Sequence, residues 1–281
     1  MRGIILAGGA GTRLRPVTSA VSKQLLPVYD KPMVYYPLSV LMAAGIREIL
    51  VISNPEHLQA YRRLLDTGAE LGLDLSYLPQ DRPRGLADAL IIAREYIGDE
   101  QVALILGDNI FYAPQLPELL RAERERLSGC TLFGYPVPDP QRFGVAELDT
   151  AGRVVSLEEK PQAPRSKLAV VGLYFYDNVA VARAAELTPS ARGELEITDL
   201  NRTFVDRGEA RLVRLGEDCV WFDTGTHDSL LSASVFVRDM WRREGRRIAQ
   251  LDEIARDAGF LGGRRVPLAE PALTALVPRT R

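Results

Sequence analysis

Along the first hundred or so residues, short apolar runs alternate with longer stretches whose apolar and polar positions follow a helical period. "GIILA" (Gly3–Ala7), "EILVIS" (Glu48–Ser53), "DLSYL" (Asp74–Leu78) and "VALILGD" (Val102–Asp108) have the length and apolar density of buried strands. Between them, "PMVYYPLSVLMAAG", "PEHLQAYRRLLD" and "LADALIIAREYI" predict amphipathic helices, with Gly45 closing the first. This βαβ rhythm predicts a parallel sheet covered by helices on both faces. From Cys130 the texture changes. "TLFGYPV", "FGVAELDTAGRVVSLEEKP" and "VVGLYFYD" read as strands joined by hairpin-type turns, with "DTAG" the clearest. A helix near Ile197–Arg207, strands "ARLVRL" and "VWFD", and a long helix from about Asp228 to Arg242 follow. The expected fold is α/β: a Rossmann-like mixed, mainly parallel sheet flanked by helices, with antiparallel additions and C-terminal helices. With no fixed-period repeat and no long linker, residues 1–225 are expected to form the main domain. Residues 226–281 are expected to be a dependent helical appendage, ending in a Pro-rich tail from Gly262.

Composition narrows the picture only where it excludes something. The 281 residues carry a net charge of −2, so no global field draws nucleic acid or a membrane surface. An anionic ligand must therefore be attracted by a local cluster of Arg and Lys. No apolar run approaches the ~20 residues that span a bilayer, and the apolar segment behind Arg2 is too short for a signal peptide. Cys130 and Cys219 lie far apart and outside any ligand-like spacing, which fits free thiols in a reducing cytoplasm.

The first strand ends in "AGGAGTRLRP", a glycine turn with Arg13 and Arg15 directly behind it. A dinucleotide fingerprint fails, because Leu14 stands where its third glycine belongs, and a Walker A loop fails for want of a following Lys. Two readings remain. One is a plain tight βα turn. The other is a turn whose backbone N–H groups face a polyphosphate, glycine being needed because a Cβ would keep the ligand away. In open α/β sheets ligands bind beyond the carboxyl ends of the strands, where this turn and Asp108 both sit.

The next segment bears on that choice. "GGAGTRLRPVT…SKQLLPVYDKP" resembles the signature of the sugar-1-phosphate nucleotidyltransferases, particularly their glucose-1-phosphate thymidylyltransferase branch. The likeness continues through "LGDNIF", "RFGVAELD", "SLEEKP", "VVGLYFYD", "RGELEITDLN" and "WFDTGTHDSL", in the same order, over roughly residues 1–260. It implies the nucleotide-diphospho-sugar transferase fold, with residues 1–225 as the catalytic domain. It also implies a reaction of dTTP with α-D-glucose 1-phosphate giving dTDP-glucose and pyrophosphate, for deoxysugar formation such as that of dTDP-L-rhamnose. By resemblance the catalytic set is Arg13, Lys23, Asp108, Lys160 and Asp223, with Asp108 and Asp223 holding Mg²⁺. The nucleotide would meet Leu6, Gly8, Gly9, Gly11, Thr12, Arg13, Lys23, Gln24, Gln80, Pro83, Gly85 and Asp108, with Leu6, Gly8, Gln24, Gln80, Pro83 and Gly85 around the base. The sugar phosphate would meet Asn109, Gly144, Glu159, Lys160, Val170, Arg192 and Trp221. A cytoplasmic homotetramer with no nucleic-acid or membrane partner is implied as well.

The chemistry suits these residue types. A sugar phosphate is already ionised near neutral pH, so its attack on the α-phosphorus needs no general base. The only histidines, His57 and His227, have no Ser–His or Cys–His arrangement around them. Gln offers a donor and an acceptor to a pyrimidine edge, and two strand-end carboxylates suit Mg²⁺, which takes one or two carboxylates plus waters and substrate oxygens. Taken singly, each Asp is equally a cap or turn residue and each Gln a surface amide. Departures are Phe143 for a frequent Tyr, Pro136 for a frequent His, a charged "LPQDRPRG" loop, and a tail beyond about Phe260 unlike the usual C-terminal helix. Three rivals stand beside the thymidylyl reading: a UTP-using relative, a glycosyltransferase, and a sensor that binds nucleotide sugar without turnover.

Overall fold

The computed structural model describes residues 1–9 and 11–262. Its strands are β1 (Arg2–Ala7), β2 (Pro27–Val28), β3 (Lys31–Pro32), β4 (Glu48–Ser53), β5 (Asp74–Pro79), β6 (Val102–Leu106), β7 (Asn109–Tyr112), β8 (Cys130–Pro136), β9 (Gly144–Leu148), β10 (Val154–Glu159), β11 (Leu168–Tyr176), β12 (Ala210–Arg214) and β13 (Val220–Asp223). Its helices are α1 (Tyr35–Ala43), α2 (Pro55–Leu65), α3 (Asp88–Ile92), α4 (Arg94–Ile97), α5 (Leu116–Glu125), α6 (Val179–Glu186), α7 (Ile197–Val205), α8 (His227–Glu244) and α9 (Leu251–Asp257).

Among the described residues the main sheet has nine strands, in the order β10-β9-β11-β6-β1-β4-β5, with β8 and β12 branching from β11. The β6-β1-β4-β5 block is parallel, as the βαβ rhythm predicts. β11 turns the sheet antiparallel. One of its edges pairs first with β9, through Leu168–Val170, and then with β6, through Leu173–Tyr176. Its other edge pairs with β8 across a bulge between Val170 and Tyr174. This strand therefore joins the parallel block to the β9–β10 hairpin, whose "DTAG" turn places Gly152 at φ 79°.

Alternate strand residues feed two cores. Ile5, Ala7, Ile49, Val51, Ala103 and Ile105 pack with α1, α2, α5 and α9 on one face. Ile4, Leu6, Leu50, Ile52, Val102 and Leu104 pack with α3, α4, α6 and α7 on the other. Strands buried on both sides read as continuous apolar runs, which is why the sequence signals them so strongly. A third cluster seats Ala233, Val237 and Met240 of α8 against Val28, Met33 and Ile110.

Several expectations need correction. α1 is not amphipathic: Tyr36 through Ala43 are all buried, because the helix lies beneath β7, α5 and α9 as well as the sheet. Gly45 does end it, in a Schellman motif with Gly45 N–H donating to Met42 O and Ile46 N–H to Leu41 O. The segment expected as one helix from Leu86 splits into α3 and α4 at Ala93. The strand expected to reach Asp108 ends at Leu106, which frees Asp108 to turn out of the sheet. The Pro-rich tail falls outside the described residues, apart from Gly262.

Candidate active site

All four parallel strands deliver their carboxyl ends to one edge. Ala7 leads into the glycine turn, Ser53 into Asn54, Pro79 into Gln80 and Leu106 into Gly107–Asp108. Gly9 (φ 94°) and Gly11 (φ 55°) hold backbone angles that L-residues avoid. Gly9 N–H donates to Asn54 Oδ1 at 3.3 Å, and the chain then enters a 3₁₀ turn over Thr12–Leu14.

Two cavities open beside this turn. The smaller, of about 210 Å³, is lined by Leu6, Gly8, Gly9, Gln24, Gln80, Pro83 and Gly85, which gathers every residue predicted to meet the base. Both amides are oriented. Gln24 Oε1 accepts from Ser22 Oγ (2.9 Å) while its Nε2 donates to Gly8 O (3.4 Å). Gln80 Nε2 donates to Asp88 Oδ2 (3.1 Å).

The larger cavity, of about 780 Å³, is lined by all seven predicted sugar-phosphate residues, together with Thr12, Arg13 and Asp223. The cavities share Leu86, Leu106, Asp108 and Glu194. Gly11 lines neither; its carbonyl accepts from Thr18 Oγ1 and shapes the turn. Lys23 lines a third cavity, of about 410 Å³, behind the turn with Arg15 and His57, and its ammonium pairs with Asp108.

Asp108 and Asp223 are brought together by a short ribbon. β13 pairs antiparallel with β7 so that Asp223 lies opposite Asn109. The buried Thr224 fastens the junction, donating from N (3.1 Å) and Oγ1 (2.7 Å) to Asp108 O. Asn109 is 2% exposed and held at both ends of its amide: its Nδ2 donates to Asp108 Oδ1 (3.0 Å), and its Oδ1 accepts from Trp221 Nε1 (2.7 Å) and Gly172 N (3.2 Å). One amide thus orients a carboxylate and an aromatic wall together.

Charge follows from this packing. Burial raises the Asp108 carboxyl, but the Lys23 ammonium and the Asn109 hydrogen bond outweigh it and hold the group below the usual carboxylate range. Burial and the neighbouring Asp108 push Asp223 upward, with Lys23, Arg13 and Arg142 opposing. Arg13 lies against Gly225, where a Cβ would come within 2.8 Å of Nη2. Two partly buried carboxylates of like charge, one still raised despite three cations, could hold a hard divalent cation. Among the described residues no group of three or more His, Cys, Asp or Glu side chains forms a metal cage, so any cation held by this pair would take the rest of its shell from substrate oxygens and water.

On the sugar side, Glu159 Oε2 accepts from Thr198 Oγ1 at 2.6 Å, and Glu159 Oε1 lies 3.2 Å from Lys160 Nζ. Arg192 is gripped by both carboxylate oxygens of Glu196, at 2.8 and 2.9 Å. Sequence reasoning missed Glu194, Glu196 and Thr198 as lining residues, although all three lie inside the "RGELEITDLN" motif. It also missed Arg142, which sits 3.7 Å from Asp223 and over the Phe143 ring. Arg142 opens the "RFGVAELD" motif, but nothing in the motif itself says that its guanidinium would reach Asp223. Phe143 packs edge-on against Trp221, with centroids 5.2 Å apart, so its ring walls the cavity without a hydroxyl.

Residues 2–240 match the nucleotidyl transferase family. The chain belongs to that family. It is 54% identical over 261 residues, 93% of its length and 91% of the relative's, to the glucose-1-phosphate thymidylyltransferase of Neisseria meningitidis serogroup A. It is 51% identical over 273 residues to the Xanthomonas campestris glucose-1-phosphate thymidylyltransferase, covering 97% of this chain and 92% of that one. A solved Bacillus anthracis structure assigned to the same enzyme, in complex with a sucrose, superimposes with a TM-score of 0.78 at 39% identity, covering 85% of this chain and 96% of its own. The chain is an enzyme of the nucleotidyl transferase family, and the glycosyltransferase and sensor rivals fall away.

Proposed function

We propose that the enzyme joins dTTP and α-D-glucose 1-phosphate, releasing pyrophosphate and forming dTDP-glucose. The observation that carries this reading is the pair of cavities meeting at Asp108: an amide-lined slot of base size beside a larger cavity in which Arg13, Arg142, Lys160 and Arg192 stand among five carboxylates. A phosphate oxygen of glucose 1-phosphate attacks the α-phosphorus in line; the P–O bond to the β-phosphate breaks and its electron pair leaves with pyrophosphate. No proton must move to generate the nucleophile.

The obstacle is the meeting of two polyanions. At an effective dielectric of ~20, unit charges ~4 Å apart interact by roughly 4 kcal/mol. Arg13, beside Gly225, and Lys23, paired with Asp108, would meet the triphosphate, while Lys160 and Arg192 would hold the sugar phosphate. Glu159 accepts from sugar hydroxyls, and Trp221 and Phe143 exclude water from that face. Asp108 and Asp223 would hold Mg²⁺, which when bound supplies further neutralisation of phosphate charge. Catalysis then comes from positioning and electrostatics.

Family resemblance further supports a homotetramer supplying dTDP-glucose for deoxysugar formation such as that of dTDP-L-rhamnose. It supports residues 1–225 as the catalytic domain, with 226–281 as its appendage. Two unpaired cysteines, Cys130 and Cys219, support a cytoplasmic location; no described helix is long and apolar enough to cross a membrane.

The test is Mg²⁺-dependent pyrophosphate release with glucose 1-phosphate, comparing dTTP with UTP, ATP and GTP. Preference for dTTP is expected. Preference for UTP would move the enzyme to the uridylyl reading, and no release with any nucleotide would overturn the reaction.

A further inference from the structure

Gln80 follows β5 directly, and its backbone N–H donates to Ser53 O at 2.8 Å, so the residue is fixed at the strand end. It is 5% exposed. Its Nε2 faces two acceptors, Asp88 Oδ2 at 3.1 Å and Gly85 O at 3.4 Å. Neither a carboxylate nor a carbonyl oxygen can donate, so the amide nitrogen must point toward them. Its Oε1 is thereby turned toward Gly8, where an added Cβ would lie 2.9 Å away, on the floor of the small cavity. Asp88 is itself 3% exposed and held from outside by Arg84 at 3.8 Å.

We infer that Asp88 is a positioning residue for base recognition: it fixes the Gln80 amide with its oxygen toward the cavity, so that the site requires a base carrying a hydrogen on its pyrimidine N3. The inference rests on the reading of the small cavity as the base pocket. Thymine and uracil carry N3–H and donate it to Gln80 Oε1. Cytosine has an unprotonated N3, and its lone pair would face that of Oε1. Without Asp88 only the longer contact to Gly85 O, at 3.4 Å, would hold the Gln80 amide against a half-turn that accepts cytosine; the shorter bond to Asp88, at 3.1 Å, forbids the turn. No choice between thymine and uracil arises here, since both present the same N3–H. Asp88 touches no substrate, and its effect passes entirely through Gln80.

The experiment is steady-state kcat/KM for dTTP and dCTP at saturating glucose 1-phosphate, together with KM for glucose 1-phosphate. It uses the full chain, Asp88→Asn, Gln80→Ala, and the double variant Gln80→Glu with Asp88→Asn. Asp88→Asn is isosteric and lets the amide pair in either orientation, so the dTTP-to-dCTP ratio should fall by about tenfold or more while KM for glucose 1-phosphate stays constant. In the double variant the amide introduced at position 88 donates to the carboxylate introduced at position 80. The second oxygen of that carboxylate again faces the cavity, and the ratio should return toward that of the parent. A merely structural role for Asp88 would weaken both nucleotides in parallel and leave the ratio unchanged. An unchanged ratio in Asp88→Asn, with a narrowed one in Gln80→Ala, overturns the positioning role and leaves the pocket standing. If Gln80→Ala changes neither the ratio nor KM for dTTP, the pocket reading falls and the inference with it.

Discussion

Lys160 holds φ at 45°, a backbone region that costs an L-residue roughly 1–2 kcal/mol. Its N–H donates to Phe143 O at 2.9 Å, which pins that conformation at the mouth of the sugar cavity. A side chain kept where glycine would be cheaper points to its charge. Lys160→Gly should match or exceed the parent in thermal stability, whereas Lys160→Ala, which keeps the backbone cost, should not gain. Both should lose turnover to the same extent, by about 10²-fold or more if the ammonium holds the reacting phosphate. Calorimetry beside pyrophosphate release separates the two effects. The cysteines make a second residue-scale case. Burial pushes the Cys130 thiol well up and the Cys219 thiol to about 11. The thiolate is the reactive form, so a raised pKa depletes it at pH 8. Ellman's reagent at pH 8 should titrate neither thiol in the folded enzyme and both in guanidinium. Rapid reaction of the native protein would contradict the burial of both sites.

At the scale of elements, the base loop and the sugar loop are tied by two backbone hydrogen bonds at Leu195. Leu195 N–H donates to Arg84 O at 2.7 Å, and Ala87 N–H to Leu195 O at 3.2 Å. Gly85 lies between, at φ 108°, and a Cβ there would stand 2.4 Å from Leu195 O. Gly85→Ala should therefore displace both loops. The expected result is a loss of about 10²-fold in kcat/KM, with KM rising for dTTP and for glucose 1-phosphate alike. A change confined to dTTP would show that the loops move independently. The long helix α8 begins with a capping box in which Ser229 N–H donates to Thr226 Oγ1 and Thr226 N–H to Ser229 Oγ. Thr226→Ala should cost about 1 kcal/mol of stability, read as a lowered melting temperature, since α8 buries only one face. Such elements differ in how far the sequence reveals them. β1, β4 and β6 were legible because both faces are buried; α8 was legible from its period and length. α5 and α6 are not legible, and α9 only as one of the C-terminal helices. α6 and α9 span only Val179–Glu186 and Leu251–Asp257, so their apolar stripes are too brief to stand out. α5 opens among the prolines of "APQLPELL", which suit a turn and a helix start alike.

Across the whole molecule, the site was legible where one motif supplies it and obscure where distant segments converge. The glycine turn, "LGDN" and "EEKP" each announce themselves, but no local pattern says that β13 will lay Asp223 opposite Asn109, or that Arg142 will reach the same carboxylate. The two aspartates also differ in what the fold asks of them. Asp108 is the partner of Lys23, whereas Asp223 is half-buried beside a like charge and raised by that desolvation and by Asp108. Asp108→Asn leaves the Lys23 ammonium unpaired and should destabilise the protein by about 1–3 kcal/mol. Asp223→Asn removes a charge that the folded state holds unfavourably, so its melting temperature should stay level or rise. If the pair holds Mg²⁺ for the phosphates, turnover in both should nonetheless fall by about 10²-fold or more, as it should in the parent on chelation with EDTA until Mg²⁺ is restored. Opposite stability changes with equal loss of activity would place both carboxylates in the reaction and only one in the support of the fold. Near-normal turnover in both variants would rule out these two carboxylates as the metal's ligands.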